Sequence, residues 1–188
     1  MLDGLEQLPP DSILGLAAAA RADTNPDKVD LTVGIYMDET GVCPVFNAVR
    51  RAQQALVAEE TSKAYLPPAG PEDFNSGMRS LVFGADSAAL SDARVSSISA
   101  PGGCGALRIG AEIINAAHPG ARVWVSDPTW PVHIPLLGSV GLQFETYRYY
   151  DAATHGVDFD AMVEDLGRAQ AGDVVLLHGC CHNPCGAD

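Results

Sequence analysis

Residues 95–130 read VSSISAPGGCGALRIGAEIINAAHPGARVWVSDPTW, and the rhythm within them decides the fold. Residues 95–100 are expected as a strand and Pro101-Gly102-Gly103-Cys104-Gly105 as a tight turn. Leu107, Gly110, Ile114 and Ala117 then mark the buried face of a helix that stops near His118-Pro119-Gly120. Val123-Trp124-Val125 begins the next strand, which ends at Asp127-Pro128. Downstream the pattern repeats: a strand around residues 144–149, a helix around 158–169, and Asp173-Val174-Val175-Leu176-Leu177-His178, an apolar run of the kind found in buried parallel strands. This alternation predicts an α/β layer with a largely parallel sheet, in which ligands bind beyond the carboxyl ends of the strands.

Upstream, Asp11 or Ser12 can cap a helix carrying Ile13, Leu14, Leu16 and an alanine run, which Asn25-Pro26-Asp27 ends. Residues 29–33 alternate as a half-buried strand does, and Gly34 follows, where a partner could approach the backbone closely. From Pro44, the residues Val45, Val49, Ala52 and Leu56 fall at helical spacing. Tyr65-Leu66-Pro67-Pro68-Ala69-Gly70-Pro71 is a loop that exposes an aromatic ring.

The 188 residues are 47% apolar and 19% charged, with a net charge of −13 and no basic cluster. A nucleic-acid backbone or an anionic membrane would be repelled. Apolar runs fall far short of the roughly 20 residues that cross a bilayer, and Asp3, Glu6, Pro9 and Pro10 do not suit a secretory signal. A cytoplasmic location is therefore expected. Five cysteines, with Cys180 and Cys181 adjacent, read as reduced thiols rather than a disulfide framework.

Three strand ends carry candidate chemistry. The Gly102–Gly105 turn feeds a helix N-terminus, which suits an anionic phosphate, although such a turn can equally be structural. It is neither a Walker loop, since Ala111 stands where Lys is required, nor a dinucleotide fingerprint, since Arg108 replaces the last Gly. Trp130 and His133 lie just past the second strand end; an indole there either packs or stacks on a heteroaromatic ring. Asn183, in His182-Asn183-Pro184-Cys185-Gly186, can donate its amide to a ring oxygen or simply form an Asx turn. Cys180, Cys181, His182 and Cys185 are also a zinc ligand set by type, but adjacent cysteines do not readily aim at one ion and no C-x-x-C spacing occurs.

Together these segments resemble the aspartate and aromatic (tyrosine) aminotransferases, pyridoxal-phosphate enzymes of fold type I. The matching stretches are Val33-Gly34-Ile35-Tyr36, Asp38-Glu39-Thr40-Gly41, Lys63-Ala64-Tyr65-Leu66, Leu81-Val82-Phe83-Gly84, the turn from Pro101 to Arg108, Val123 to Trp130, and Leu177 to Gly186. They follow the family's order and cover a little under half of a member's length. The resemblance implies a three-layer α/β fold with a mainly parallel sheet, truncated here. Residues 1–45 would form an N-terminal arm and small-domain segment, and residues 46–188 the first half of the large domain that binds pyridoxal 5'-phosphate.

It further implies that Gly103 and Cys104 hold the cofactor phosphate, that Trp130 stacks on the pyridine ring with His133 behind it, and that Asn183 bonds the ring's phenolic oxygen. Gly34 would meet the substrate carboxylate, which Trp130 and Asn183 also face. Tyr65 would reach the phosphate of the neighbouring subunit in a homodimer. The implied substrates are an amino acid, aspartate, glutamate or aromatic, and 2-oxoglutarate. Ile13 and Leu14 would line the entrance, and the Pro67-Pro68-Ala69-Gly70 loop is closer to aromatic-accepting members, which favours dual specificity.

Cys104 and Cys185 stand where the family usually has Thr or Ser and Thr, and a thiol is the poorer donor. The Schiff-base Lys is not among the matching positions: the lysines are Lys28 and Lys63, both in other motifs. The 188-residue chain alone is accordingly expected to be inactive, with amino-group transfer a property of the intact protein. A non-catalytic fragment with exposed strand edges is the competing expectation.

Overall fold

The computed structural model describes residues 12–32 and 34–187, in two compact units, Met1–Ala64 and Tyr65–Asp188. The expected cap at Asp11 or Ser12 and the side chains of Ile13 and Leu14 lie outside the described residues, as do Val33 and residues 1–11 of the expected arm.

The first unit holds α1 (Ser12–Ala22) and α2 (Asn47–Glu59). The last carbonyls of a helix lack intrahelical partners. Here the Lys28 ammonium folds back onto the carbonyl of Ala20 in the last turn and that of Asp23 just beyond the helix, at 2.5 and 2.7 Å. The strand expected at residues 29–33 is absent among its described residues. The Asp30 carboxylate instead accepts from the Thr32 N–H (3.0 Å) and hydroxyl (2.6 Å), a local pattern that competes with a ladder. Val29 and Leu31 are exposed. A similar turn follows, in which Asp38 accepts from Thr40 and Val42 and Gly41 takes φ +75°. Helix α2 starts at Asn47 rather than near Pro44, and none of its residues is buried, so its apolar stripe of Val49 and Leu56 faces out.

The second unit opens with the expected Tyr65–Pro71 loop, followed by α3 (Glu72–Phe83) and α4 (Ala88–Ser91). Gly70 has φ +89°, and a Cβ added there would fall 2.3 Å from the Ser99 Cβ. The Ala69 carbonyl accepts from both the Ser99 N–H and the buried Asn75 amide, each at 2.8 Å. Residues 95–100 are thus tied to a loop, and they form no strand, against expectation. A strand exists only through a hydrogen-bonded neighbour, and the described ladder does not include them.

Helix α5 (Gly102–Ala117) then leads into β1 (Arg122–Asp127), α6 (His133–Gly138), β2 (Gln143–Arg148), β3 (Tyr150–Asp151), β4 (Gly156–Val157), α7 (Phe159–Leu166) and β5 (Val174–Val175). Asp158 caps α7 by accepting from the Ala161 N–H. The main sheet has the order β2-β1-β5, every pair parallel, and the Leu176 N–H extends the ladder to the Trp124 carbonyl at 2.9 Å. The expected runs at 144–149, 158–169 and 173–178 therefore appear as β2, α7 and β5, each shorter or shifted by a residue.

Strand β1 is central and buried on both faces. Val123 and Val125 join Ala111, Leu137 and Leu142 in the core, while Trp124 and Ser126, pointing the other way by the two-residue period, are equally buried. At the amino end of the sheet, Asp173 accepts from the Arg122 guanidinium (3.0 and 2.6 Å), the Trp124 indole (2.9 Å) and the Gln170 N–H (2.9 Å). Those donors hold its carboxyl far below the usual carboxylate range, Arg122 first.

Candidate cofactor site

Helix α5 and strand β1 share a core through Leu107, Ala111 and Ile114, and the short link at residues 118–121 makes them antiparallel. The N-terminus of α5 consequently lies at the carboxyl edge of the sheet. There Gly103 borders the same groove as Leu176 and Leu177, a cavity of about 520 Å³. Pro101 offers no side-chain cap, so the first-turn N–H groups stay available to an anion. Gly103 and Cys104 are exposed, and a Cβ at Gly103 would meet nothing within 4 Å. At Gly105 it would strike the Pro101 Cδ at 2.9 Å.

Beyond the same edge runs a column of rings. Trp130 meets His133 edge-on, with centroids 5.2 Å apart, and His133 meets His178 likewise at 5.3 Å. His178 stacks on His182 at 4.1 Å, and His182 on Tyr149 at 4.2 Å. Thr129 holds the His133 Nδ1 at 2.9 Å. Burial, then the imidazoles of His178 and His182, lower the His133 pKa below the ordinary 6.5. A neutral imidazole under a half-buried indole makes a firm apolar shelf. The Asn183 N–H donates to the His178 Nδ1 at 3.1 Å, placing Asn183 in a turn closed by the Gly186 N–H on the His182 carbonyl at 2.7 Å.

A family sequence model described as aminotransferase class I and II matches residues 26–188. The chain belongs to the class I and II aminotransferases. It is 47% identical to the aspartate aminotransferase of Escherichia coli (strain K12), across 100% of this chain and 48% of that protein. It is 45% identical to the aromatic-amino-acid aminotransferase of Paracoccus denitrificans, across 100% and 47%. A crystal structure of the aromatic-amino-acid aminotransferase from Burkholderia pseudomallei, covalently bound to pyridoxal phosphate, superposes with TM-score 0.95 at 42% identity, covering 100% of this chain and 47% of that one. The chain spans about half the length of the curated relatives it matches. The α/β class and the fold type I assignment read from the sequence hold.

Within the aminotransferase chain, Trp130, His133 and Asn183 are brought together, and Gly103 and Cys104 share their edge of the sheet. Tyr65 is fully exposed at the head of its loop, and Gly34 belongs to the first unit. Lys28 and Lys63 also belong to the first unit, Lys28 engaged with helix carbonyls and Lys63 with Glu60. Among the described residues, no group of three His, Cys, Asp or Glu side chains is placed to hold a metal ion.

Sequence reasoning did not assign chemistry to Ser126, Tyr147, Tyr149 or His178. Alternation along β1 singles out Ser126 as a buried hydroxyl, and the four-residue spacing of His178 and His182 is the signal for their pairing.

Proposed function

We propose that this chain carries the half of an aminotransferase that grips pyridoxal 5'-phosphate, and that the longer protein moves an amino group between aspartate, glutamate or an aromatic amino acid and 2-oxoglutarate. The observation that carries this reading is the shared edge of the uncapped α5 N-terminus and the Trp130–His133 shelf. An anion binder and an aromatic platform at one edge are what a phosphorylated heteroaromatic aldehyde requires. When bound, that cofactor supplies an electron sink for cleavage of the bond between the substrate α-carbon and its hydrogen.

The protein's own part is positioning. The Gly103 and Cys104 N–H groups would hold the phosphate, Trp130 would cover the ring with His133 fixing the indole edge, and the Asn183 amide would donate to the ring's oxygen. Gly34 would offer its N–H to the substrate carboxylate. Tyr65 would cross to the neighbouring subunit of a homodimer, for which its full exposure leaves it available. The division of the chain after residue 45 and a cytoplasmic location belong to the same proposal; among the described residues no helix is long and apolar enough to cross a membrane. With Lys28 and Lys63 engaged elsewhere, the chain alone would bind without turning over.

Titration with pyridoxal phosphate, followed by tryptophan fluorescence, tests this. Expected are saturable quenching, at least tenfold weaker binding of pyridoxal without its phosphate, and loss of the quench in Trp130→Phe. Equal binding of the two aldehydes would overturn the assignment.

A further inference from the structure

The ladder between β1 and β5 is short. Val174 and Val175 pair with β1, the Leu176 N–H adds one bond to the Trp124 carbonyl, and among the described residues no further rung holds 177–187. That stretch nevertheless carries His178, His182 and Asn183. Two side chains reach it from the β2 side, across the central strand. The Tyr147 hydroxyl donates to the Leu176 carbonyl and the Tyr149 hydroxyl to the Ala187 carbonyl, each at 2.9 Å. A carbonyl only accepts, so the phenols are the donors. Two residues apart along extended backbone, the two tyrosines share a face, and their ring centroids are 6.3 Å apart.

Tyr149 makes a second contact. Its ring lies nearly flat on the His182 imidazole, with centroids 4.2 Å apart and planes 16° from parallel. Ring and hydroxyl therefore grip the two ends of one turn, residues 182–187, which the Gly186 N–H closes on the His182 carbonyl at 2.7 Å. Both gripped residues are buried, His182 at 3% and Ala187 at 8% exposure. The base of the clamp is itself fixed by α7: the Tyr149 carbonyl accepts the Asp158 N–H and the Arg148 N–H donates to Asp165, both at 2.8 Å. We propose that Tyr149 is a positioning residue, a two-point clamp that takes over where the β5 ladder ends and sets the direction in which Asn183 meets the cofactor ring. The consequence for Asn183 rests on the cofactor reading above; the clamp on the turn does not.

The test uses the full chain and two ligands, pyridoxal phosphate and its analogue lacking the phenolic oxygen, titrated by tryptophan fluorescence. The wild type should prefer pyridoxal phosphate about tenfold, the size of one hydrogen bond to a charged oxygen, and Asn183→Ala should abolish that preference. Tyr149→Phe, which keeps the stacked ring, should cut the preference about threefold, and Tyr149→Leu should abolish it, with the analogue's affinity little changed in both. A general loosening would weaken both ligands alike, and that result, or an unchanged preference in Tyr149→Leu, overturns the positioning role. Amide exchange at Gly186 reads the clamp without any ligand: it should be about tenfold faster in Tyr149→Phe, a variant that retains the packing, and an unchanged rate overturns the clamp. A wild type without preference, together with faster Gly186 exchange in Tyr149→Phe, overturns the cofactor reading of Asn183 and upholds the clamp.

Discussion

Gly105→Ala tests whether the α5 turn is rigid enough to hold an anion. The added Cβ would sit 2.9 Å from the Pro101 Cδ and 3.0 Å from its Cγ. These atoms belong to a ring fused to the backbone, so relief requires the turn itself to move. Overpacking of this kind costs about 1–3 kcal/mol, and replacing Gly by Ala in a helix returns about 1 kcal/mol. The net is about 0–2 kcal/mol of destabilisation, or a Tm lowered by up to about 8 °C for a chain of this size. Displacement of the first-turn N–H groups weakens bonds to a charged acceptor, each worth about 1.5–3 kcal/mol, so cofactor affinity should fall about tenfold or more. Gly110→Ala is the control: it lies on the same helix with nothing within 4 Å of the added atom. It should raise Tm by about 2–4 °C and leave affinity unchanged. Thermal unfolding and pyridoxal phosphate titration on both variants decide the matter. If Gly105→Ala behaved as Gly110→Ala in both assays, the turn would be soft and the reasoning wrong.

Cys104→Thr should tighten pyridoxal phosphate binding about tenfold, because a hydroxyl donates to a charged oxygen where a thiol donates weakly; an unchanged dissociation constant counts against Cys104 as a phosphate neighbour. Because burial and two imidazoles lower the His133 pKa, the unfolded chain takes up a proton that the folded chain refuses. Stability should therefore fall as pH drops below about 6.5 and level off below the folded value; urea unfolding between pH 8 and 5 measures this, and His133→Gln should flatten the curve. Asp173→Asn should be less stable than the wild type above the ordinary carboxylate pKa. Since Arg122, then the Gln170 and Trp124 N–H groups, hold the carboxyl well below that value, the gap should close only in stronger acid, and a gap independent of pH would refute the assignment.

The parts of the fold legible in the sequence were those whose partners lie close along the chain. Helix α5, β1 and the run ending in β5 could be read because the helix face, the apolar strand and the turn residues are all local signals. Residues 95–100 had the same local character yet form no strand, since a ladder partner is not written into the segment itself. Residues 29–32 failed for the opposite reason: Asp30 supplies a side-chain acceptor that the alternation pattern ignores. At the site, Trp130, His133 and Asn183 were recognisable from their motifs. The Ser126–His182 bond joins residues 56 apart and the ring column sets His133 against His178; only tertiary packing reveals them.

The two tryptophans mark opposite ends of the sheet. Trp124 is buried, with the Arg122 and Arg168 guanidinium carbons 5.4 and 5.7 Å from its ring centre; Trp130 rests on an imidazole at the other end. Cationic neighbours shift indole emission differently from a neutral ring, and an acrylamide quencher reaches the half-buried indole first. The chain therefore carries an optical ruler: emission from one lamp reports the amino-end ion cluster, emission from the other reports the carboxyl end, and partial unfolding of either extinguishes its own signal.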